Sequence, residues 1–237
     1  MIINLWSTPR TGSVWYSMHL SDTLNLTRVT ELFNHRHYDL YYTMDDTGVA
    51  HSFNHYKEEI NCFHKEFYLD DGILKSKPIF GPRLRSANEE EKYRLELLMS
   101  TKDTNRLLLH NHIDPITPEI KEYLLGAGEN IFIYRKNKMS QLASYAIAYV
   151  TGSFFQFKNN NRNICVDSIP ESAVIDLIRR IKIWENANKE SGTVIAYEDI
   201  DFYDKEGFLC KQVKDYTKFL TPDALQHLRD IHDRYFV

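Results

Sequence analysis

Ile2-Ile3-Asn4-Leu5-Trp6-Ser7-Thr8-Pro9-Arg10-Thr11-Gly12-Ser13-Val14-Trp15 is the stretch that decides the fold. Its first six residues form a short apolar run, the pattern of a strand covered on both faces. A proline then turns the chain, a glycine permits close backbone approach, and a helix begins. Successive backbone N–H groups at a helix N-terminus make an anion site, and Ser and Thr hydroxyls add donors. Arg10 would bring a fixed charge with bidentate geometry. The plain alternative is a strand–helix turn capped by Thr11 or Ser13. The GxxxxGK[ST] pattern of triphosphate-binding loops is absent.

Outward from this stretch, runs at 106–110, 130–135 and 193–197 have the same covered-strand character. Helical patterns occupy Ser13–Leu24, 89–98, 118–125, 139–150, 171–189 and 222–235. Within 171–189, Val174, Ile178, Ile181 and Trp184 share one stripe, the core face of an amphipathic helix. Strands alternating with helices predict an α/β fold, a central parallel sheet flanked by helices. Ligands in such sheets sit beyond the C-terminal strand ends, so the loops after residues 7, 110 and 135 should converge. Residues 34–88 fit the alternation least. They are rich in His, Tyr, Phe and Asp and read as an excursion of short helices or a hairpin over the sheet, a lid or acceptor-binding segment. The tyrosines within 38–42 either line an acceptor pocket or pack as an aromatic cluster.

The 237 residues carry 29 Lys+Arg and 33 Asp+Glu, a formal net charge of −4, with 43% hydrophobic and 26% charged residues. That is an ordinary soluble globule, which excludes disordered and fibrous classes. One domain over 1–237 is expected, burying roughly three quarters of its unfolded surface. Mild acidity argues against a nucleic-acid-coating protein but leaves room for a local basic pocket. No apolar run approaches the roughly 20 residues that span a bilayer, so no membrane partner is expected. The N-terminus has no basic n-region and reads as a strand rather than a leader. Cys62, Cys165 and Cys210 are odd in number and widely spaced, which predicts a reducing, cytoplasmic setting.

The segment from Thr8 to Trp15 resembles the 5′-phosphosulfate loop of sulfotransferases that use 3′-phosphoadenylyl sulfate (PAPS). That loop reads roughly T-x-P-[KR]-[ST]-G-[ST]-x-W after the first strand; here Thr8 abuts Pro9 directly. The resemblance implies a P-loop nucleotide-hydrolase-like sulfotransferase architecture, with PAPS as donor and the 3′,5′-bisphosphate PAP as product. It implies that Arg10 contacts the transferred sulfuryl group. Thr11, Gly12, Ser13 and Val14 would ligate the phosphate, and Trp15 would stack on the adenine. The plain reading of Trp15 is a core aromatic of the first helix.

A second anchor runs Asn130-Ile131-Phe132-Ile133-Tyr134-Arg135-Lys136-Asn137, followed by Met139-Ser140-Gln141-Leu142-Ala143-Ser144. A cation at a strand end and a hydroxyl on the next helix can clamp one phosphate. The stretch is similar to the family's 3′-phosphate motif, in which an arginine pairs with a serine eight or nine positions on. Ser144 is nine from Arg135 and eight from Lys136. Arg135 is the favoured cation, because it follows the apolar strand directly and its fork suits a phosphate. Ala196-Tyr197-Glu198-Asp199-Ile200 resembles the family's Y-E-D-L, with Glu198 and Asp199 read as capping or pairing residues. The family's late R-K-G-x-x-G loop has no counterpart.

Sulfuryl transfer needs a base for the acceptor hydroxyl. Glu31, in Thr30-Glu31-Leu32-Phe33, resembles the glutamate before an aromatic in carbohydrate sulfotransferases. His112, in Leu109-His110-Asn111-His112-Ile113, falls where the cytosolic branch carries K-T-H-L-P. Both stay open; features of the carbohydrate and bacterial branches rank Glu31 first. The plain readings are a solvated carboxylate and a hydrogen-bonded strand-end histidine. His35, His37, His51 and His55 lack the partners of a familiar zinc site, so no metal is expected. The expected activity is therefore transfer from PAPS to a glycan, small alcohol or phenol. A catalytically silent nucleotide-binding module and a phosphoryl transferase are the alternatives.

Overall fold

The computed structural model describes residues 1–30, 32–33, 41–44, 50–53, 63–80, 85–102, 106–112, 116–151, 165–187, 189–200 and 216–237. In chain order the elements are β1 (Ile2–Ser7), α1 (Ser13–Leu24), β2 (Thr27–Thr30), β3 (Tyr41–Met44), β4 (Ala50–Phe53), β5 (Phe63–Asp70), β6 (Ile73–Phe80), α2 (Ala87–Ser100), β7 (Leu107–His112), α3 (Pro118–Ala127), β8 (Glu129–Tyr134), α4 (Lys138–Thr151), α5 (Glu171–Glu185), β9 (Thr193–Ala196) and α6 (Pro222–Phe236). Short 3₁₀ turns cover Tyr197–Asp199 and Tyr216–Phe219.

Five strands form one parallel sheet in the order β2-β7-β1-β8-β9, with helices against it, an α/β arrangement compatible with a P-loop-like fold. The central strand β1 is buried from Ile3 to Ser7. Alternation divides its side chains between two cores. Ile3 and Leu5 join Leu108, Ile133 and Tyr16 of α1. Trp6 joins Leu107, Leu109, Phe132, Leu98 of α2 and Leu124 of α3 on the other face. A third core holds α4, α5 and α6 together through Leu142, Ala146, Val174, Ile178, Ile181, Leu228 and Ile231. The stripe expected on α5 is buried throughout, from Val174 to Trp184.

Local chemistry sets the helix ends. Ser86 and Glu89 close a capping box on α2, and Thr221 caps α6 ahead of Pro222. The strand β2 escaped the sequence reading, because an edge strand of four residues, Thr-Arg-Val-Thr, has no continuous apolar run. The excursion over 34–88 contributes two antiparallel hairpins among the described residues, β3–β4 and β5–β6. The second packs on the sheet through Phe67 and Leu74.

Candidate functional site

The register aligns the ends of the three central strands. Ser7 of β1 lies opposite His112 of β7, and Trp6 lies opposite Phe132 of β8, just before Arg135. The loop that leaves β1 is held in an unusual backbone form. Arg10 has φ 64° and Gly12 has φ 84°, both left-handed, with Thr11 between them. Alternating handedness turns successive N–H groups to one side, an anion-receiving concavity. Gly12 is the N-cap of α1 and supplies no capping side chain, and the first helical bond runs from Tyr16 N to Gly12 O. The N–H groups of Ser13, Val14 and Trp15 therefore have no acceptor within the helix. Capping by Thr11 or Ser13 is not what the structure contains: Thr11 Oγ1 donates to Thr8 O at 3.0 Å.

Gly12 is glycine for two reasons. Its φ excludes most side chains, and a Cβ there would overlap the ring of Tyr197, whose Cδ2 and Cζ lie 2.6 Å from that point. Tyr197 also carries Arg135 over its ring, at 4.9 Å. Arg135 is only 5% exposed, and its Nε meets no hydrogen-bond partner among the described residues. A buried donor left this way costs free energy unless something accepts from it. Burial raises the Tyr197 hydroxyl above its ordinary pKa, while the Arg135 charge opposes the rise.

Arg10 Nε donates to Ser144 Oγ at 2.9 Å, which ties the loop to α4. Burial pushes the Arg10 guanidinium down from its ordinary value; the Tyr216 hydroxyl opposes this, and the Arg135 charge adds to it. Two guanidinium groups thus stand close enough to repel beside the same loop, an arrangement that an anion stabilises. On α4, Gln141 Nε2 donates to Thr8 Oγ1 at 3.0 Å and to Pro9 O at 2.7 Å.

Lys136 goes elsewhere. Its Nζ donates to Asp199 at 2.6 Å on the exposed surface, while Glu198 accepts the N–H groups of Lys136 and Asn137 at 3.0 and 3.3 Å. Glu198 thereby satisfies backbone donors where α4 begins, and Asn137 Oδ1 takes the Ser140 N–H at 2.8 Å.

Beside the loop, Ser7 Oγ stands 3.1 Å from His110 Nε2 and 3.4 Å from His112 Nδ1. His112 is 9% exposed, at the mouth of the strand end, while His110 is fully buried. Glu31 lies outside the described residues. Its neighbours Leu32 and Phe33 are fully buried, and Arg94 Nη1 donates to Leu32 O at 2.6 Å. The preceding residue, Thr30, pairs in register with His110.

The structure therefore brings together Arg10, Thr11, Gly12, Ser13, Arg135 and Ser144, with Val14 and Trp15 on the first turn of α1, partly buried. His112 belongs to the same strand-end edge. Ser7, Gln141, Tyr197 and Tyr216 were missed as site residues. The side chains of the 38–42 tyrosines, and His35, His37 and His55, lie outside the described residues, as does the side chain of His51. Among the described residues no group of three or more His, Cys, Asp or Glu is placed to hold a metal, and no helix is long and apolar enough to cross a membrane. No protein-family model matches the chain, and no curated protein matches it in sequence.

Proposed function

We propose that the chain is a sulfotransferase that moves the sulfuryl group of PAPS to the hydroxyl of a glycan, small alcohol or phenol. One observation carries the reading. An uncapped helix N-terminus and two guanidinium groups, one with a buried Nε unpartnered among the described residues, converge at the C-terminal end of the central strand. The donor set suits a nucleotide with two separated anionic groups. The concavity over residues 10–14 suits the 5′ group, and Arg135 with Ser144 suits the 3′-phosphate. The strand order is compatible with the P-loop-like architecture in which such sites occur.

PAPS supplies an activated sulfuryl group whose leaving oxygen stays on phosphate. The protein's part is to bind, orient and move one proton. The loop N–H groups and Arg10 stabilise negative charge as it grows on the leaving oxygen. A base, His112 at the strand-end edge or Glu31, takes the acceptor's hydroxyl proton as the new O–S bond forms and the donor's S–O bond breaks. Trp15 offers an aromatic face for the adenine.

Transfer of labelled sulfate from PAPS to a panel of glycans, phenols, small alcohols and tyrosine peptides tests this. Label in an acceptor with one PAP released per transfer supports the reading. Binding of PAP with no turnover on any acceptor favours the silent nucleotide-binding module instead. Transfer of phosphate from ATP with magnesium, without any PAP binding, overturns it.

A further inference from the structure

Gln141 has no role in the reading above, yet it is fully buried and its amide is spent on the loop alone. Pro9 O can only accept, so the amide NH₂ must face it at 2.7 Å, and the same nitrogen reaches Thr8 Oγ1 at 3.0 Å. This leaves Gln141 Oε1 buried with no partner among the described residues. Leucine would fill the same space with no orphaned oxygen, so a glutamine is costly here unless its two donations matter. They fall on the two residues immediately before Arg10, whose left-handed φ of 64° is strained for a side chain with a Cβ. Such strain persists only where the surroundings hold it. From the same helix, Ser144 accepts from Arg10 Nε. Three hydrogen bonds therefore join the loop to α4 from residue 8 to residue 10.

We infer that Gln141 is a positioning residue that holds the loop in its anion-receiving form, so that the 5′ half of the site is preorganised by the helix that carries the 3′ half. The inference rests on the nucleotide reading for its choice of ligand, though not for the clasp itself. Its consequence is selective: loss of the clasp weakens anions seated on the loop and spares those seated on Arg135.

Isothermal titration in EDTA with 5′-AMP, 3′-AMP, PAP and inorganic pyrophosphate reads this out, comparing wild type with Gln141→Leu. The variant should lose on the order of tenfold for 5′-AMP, pyrophosphate and PAP, two hydrogen bonds' worth. Its affinity for 3′-AMP should stay within about threefold, because both Gln141 donations go to Thr8 and Pro9 rather than to Arg135. Equal losses for 5′-AMP and 3′-AMP, or no loss at all, overturn the inference. If Gln141→Leu does not fold, Thr8→Val removes one of the two acceptors; it should weaken pyrophosphate several-fold, and unchanged affinity contradicts the clasp. Wild type that binds pyrophosphate but no nucleotide refutes the nucleotide reading while the pyrophosphate ratio still decides Gln141. Wild type that binds none of the four probes refutes both.

Discussion

Arg10 and Ser144, 134 positions apart, are joined by a 2.9 Å hydrogen bond that runs from the loop after the central strand to helix α4. The loop after β1 and helix α4 are therefore tied directly to one another. Ser144, which the sequence reading pairs with the cation after β8, here accepts from the cation of the first loop. The same neighbourhood includes Tyr197, packed between Gly12 and Arg135.

Gly12→Ala should be the most damaging small substitution. It meets both a left-handed φ of 84° and the Tyr197 ring. Backbone strain of this kind costs about 1–3 kcal/mol, which lowers Tm by roughly 2–4 °C per kcal/mol in a chain of this size. Thermal unfolding measures it, and PAP titration should show a loss of affinity in the folded fraction. The double variant Gly12→Ala with Tyr197→Ala should lose less stability than the sum of the two single variants, because the clash is removed while the strain remains.

Arg135→Ala should weaken PAP by about 1–3 kcal/mol, the worth of a charged hydrogen bond. The loss should be much smaller for a nucleotide with no 3′-phosphate. Equal losses on both nucleotides would remove Arg135 from the 3′ site.

Lys136→Ala should behave differently, although the two residues are adjacent. Lys136 is paired with Asp199 on the surface, with side chains 53% and 57% exposed. Such exposed, solvent-screened pairs contribute little, so both stability and PAP affinity should be nearly unchanged. A large loss of PAP affinity in this variant, with Arg135→Ala silent, would shift the 3′ assignment to Lys136.

The base is decided by rate. Glu31→Gln should lower kcat by about 10²–10⁴-fold with PAP affinity unchanged, and His112→Asn should cost less. Near-normal turnover of Glu31→Gln with a dead His112→Asn reverses the ranking. His112 has the geometry for it, since Ser7 Oγ and Ser7 O both stand 3.4 Å from its Nδ1.

Most of the framework was legible because its signals are local. Four of the five parallel strands are short apolar runs such as Ile2–Ser7, although β9, at the sheet edge, leaves Thr193 and Val194 exposed rather than covered, and α3 and α6 show their start signals at Pro118 and Pro222. What stayed hidden depends on contacts between distant segments. Strand β2 borrows its place from β7 rather than from its own composition. Tyr197 reads as the first letter of a turn, and only the fold sets its ring against Gly12. Gln141 reads as one polar residue in an apolar helix, and Ser7 as a strand end; their roles depend on register and on helix placement. The two hairpins of the excursion carry too few periodic residues to be separated from loop by pattern alone.

Titration of PAP into the protein in EDTA, with ATP and magnesium as the comparison, tests the central claim most directly. The expected result is saturable binding of PAP without any metal, weakened by Arg135→Ala, with ATP binding no tighter when magnesium is added. Failure of PAP to bind, with tight magnesium-dependent binding of ATP, would contradict the sulfotransferase reading at its base.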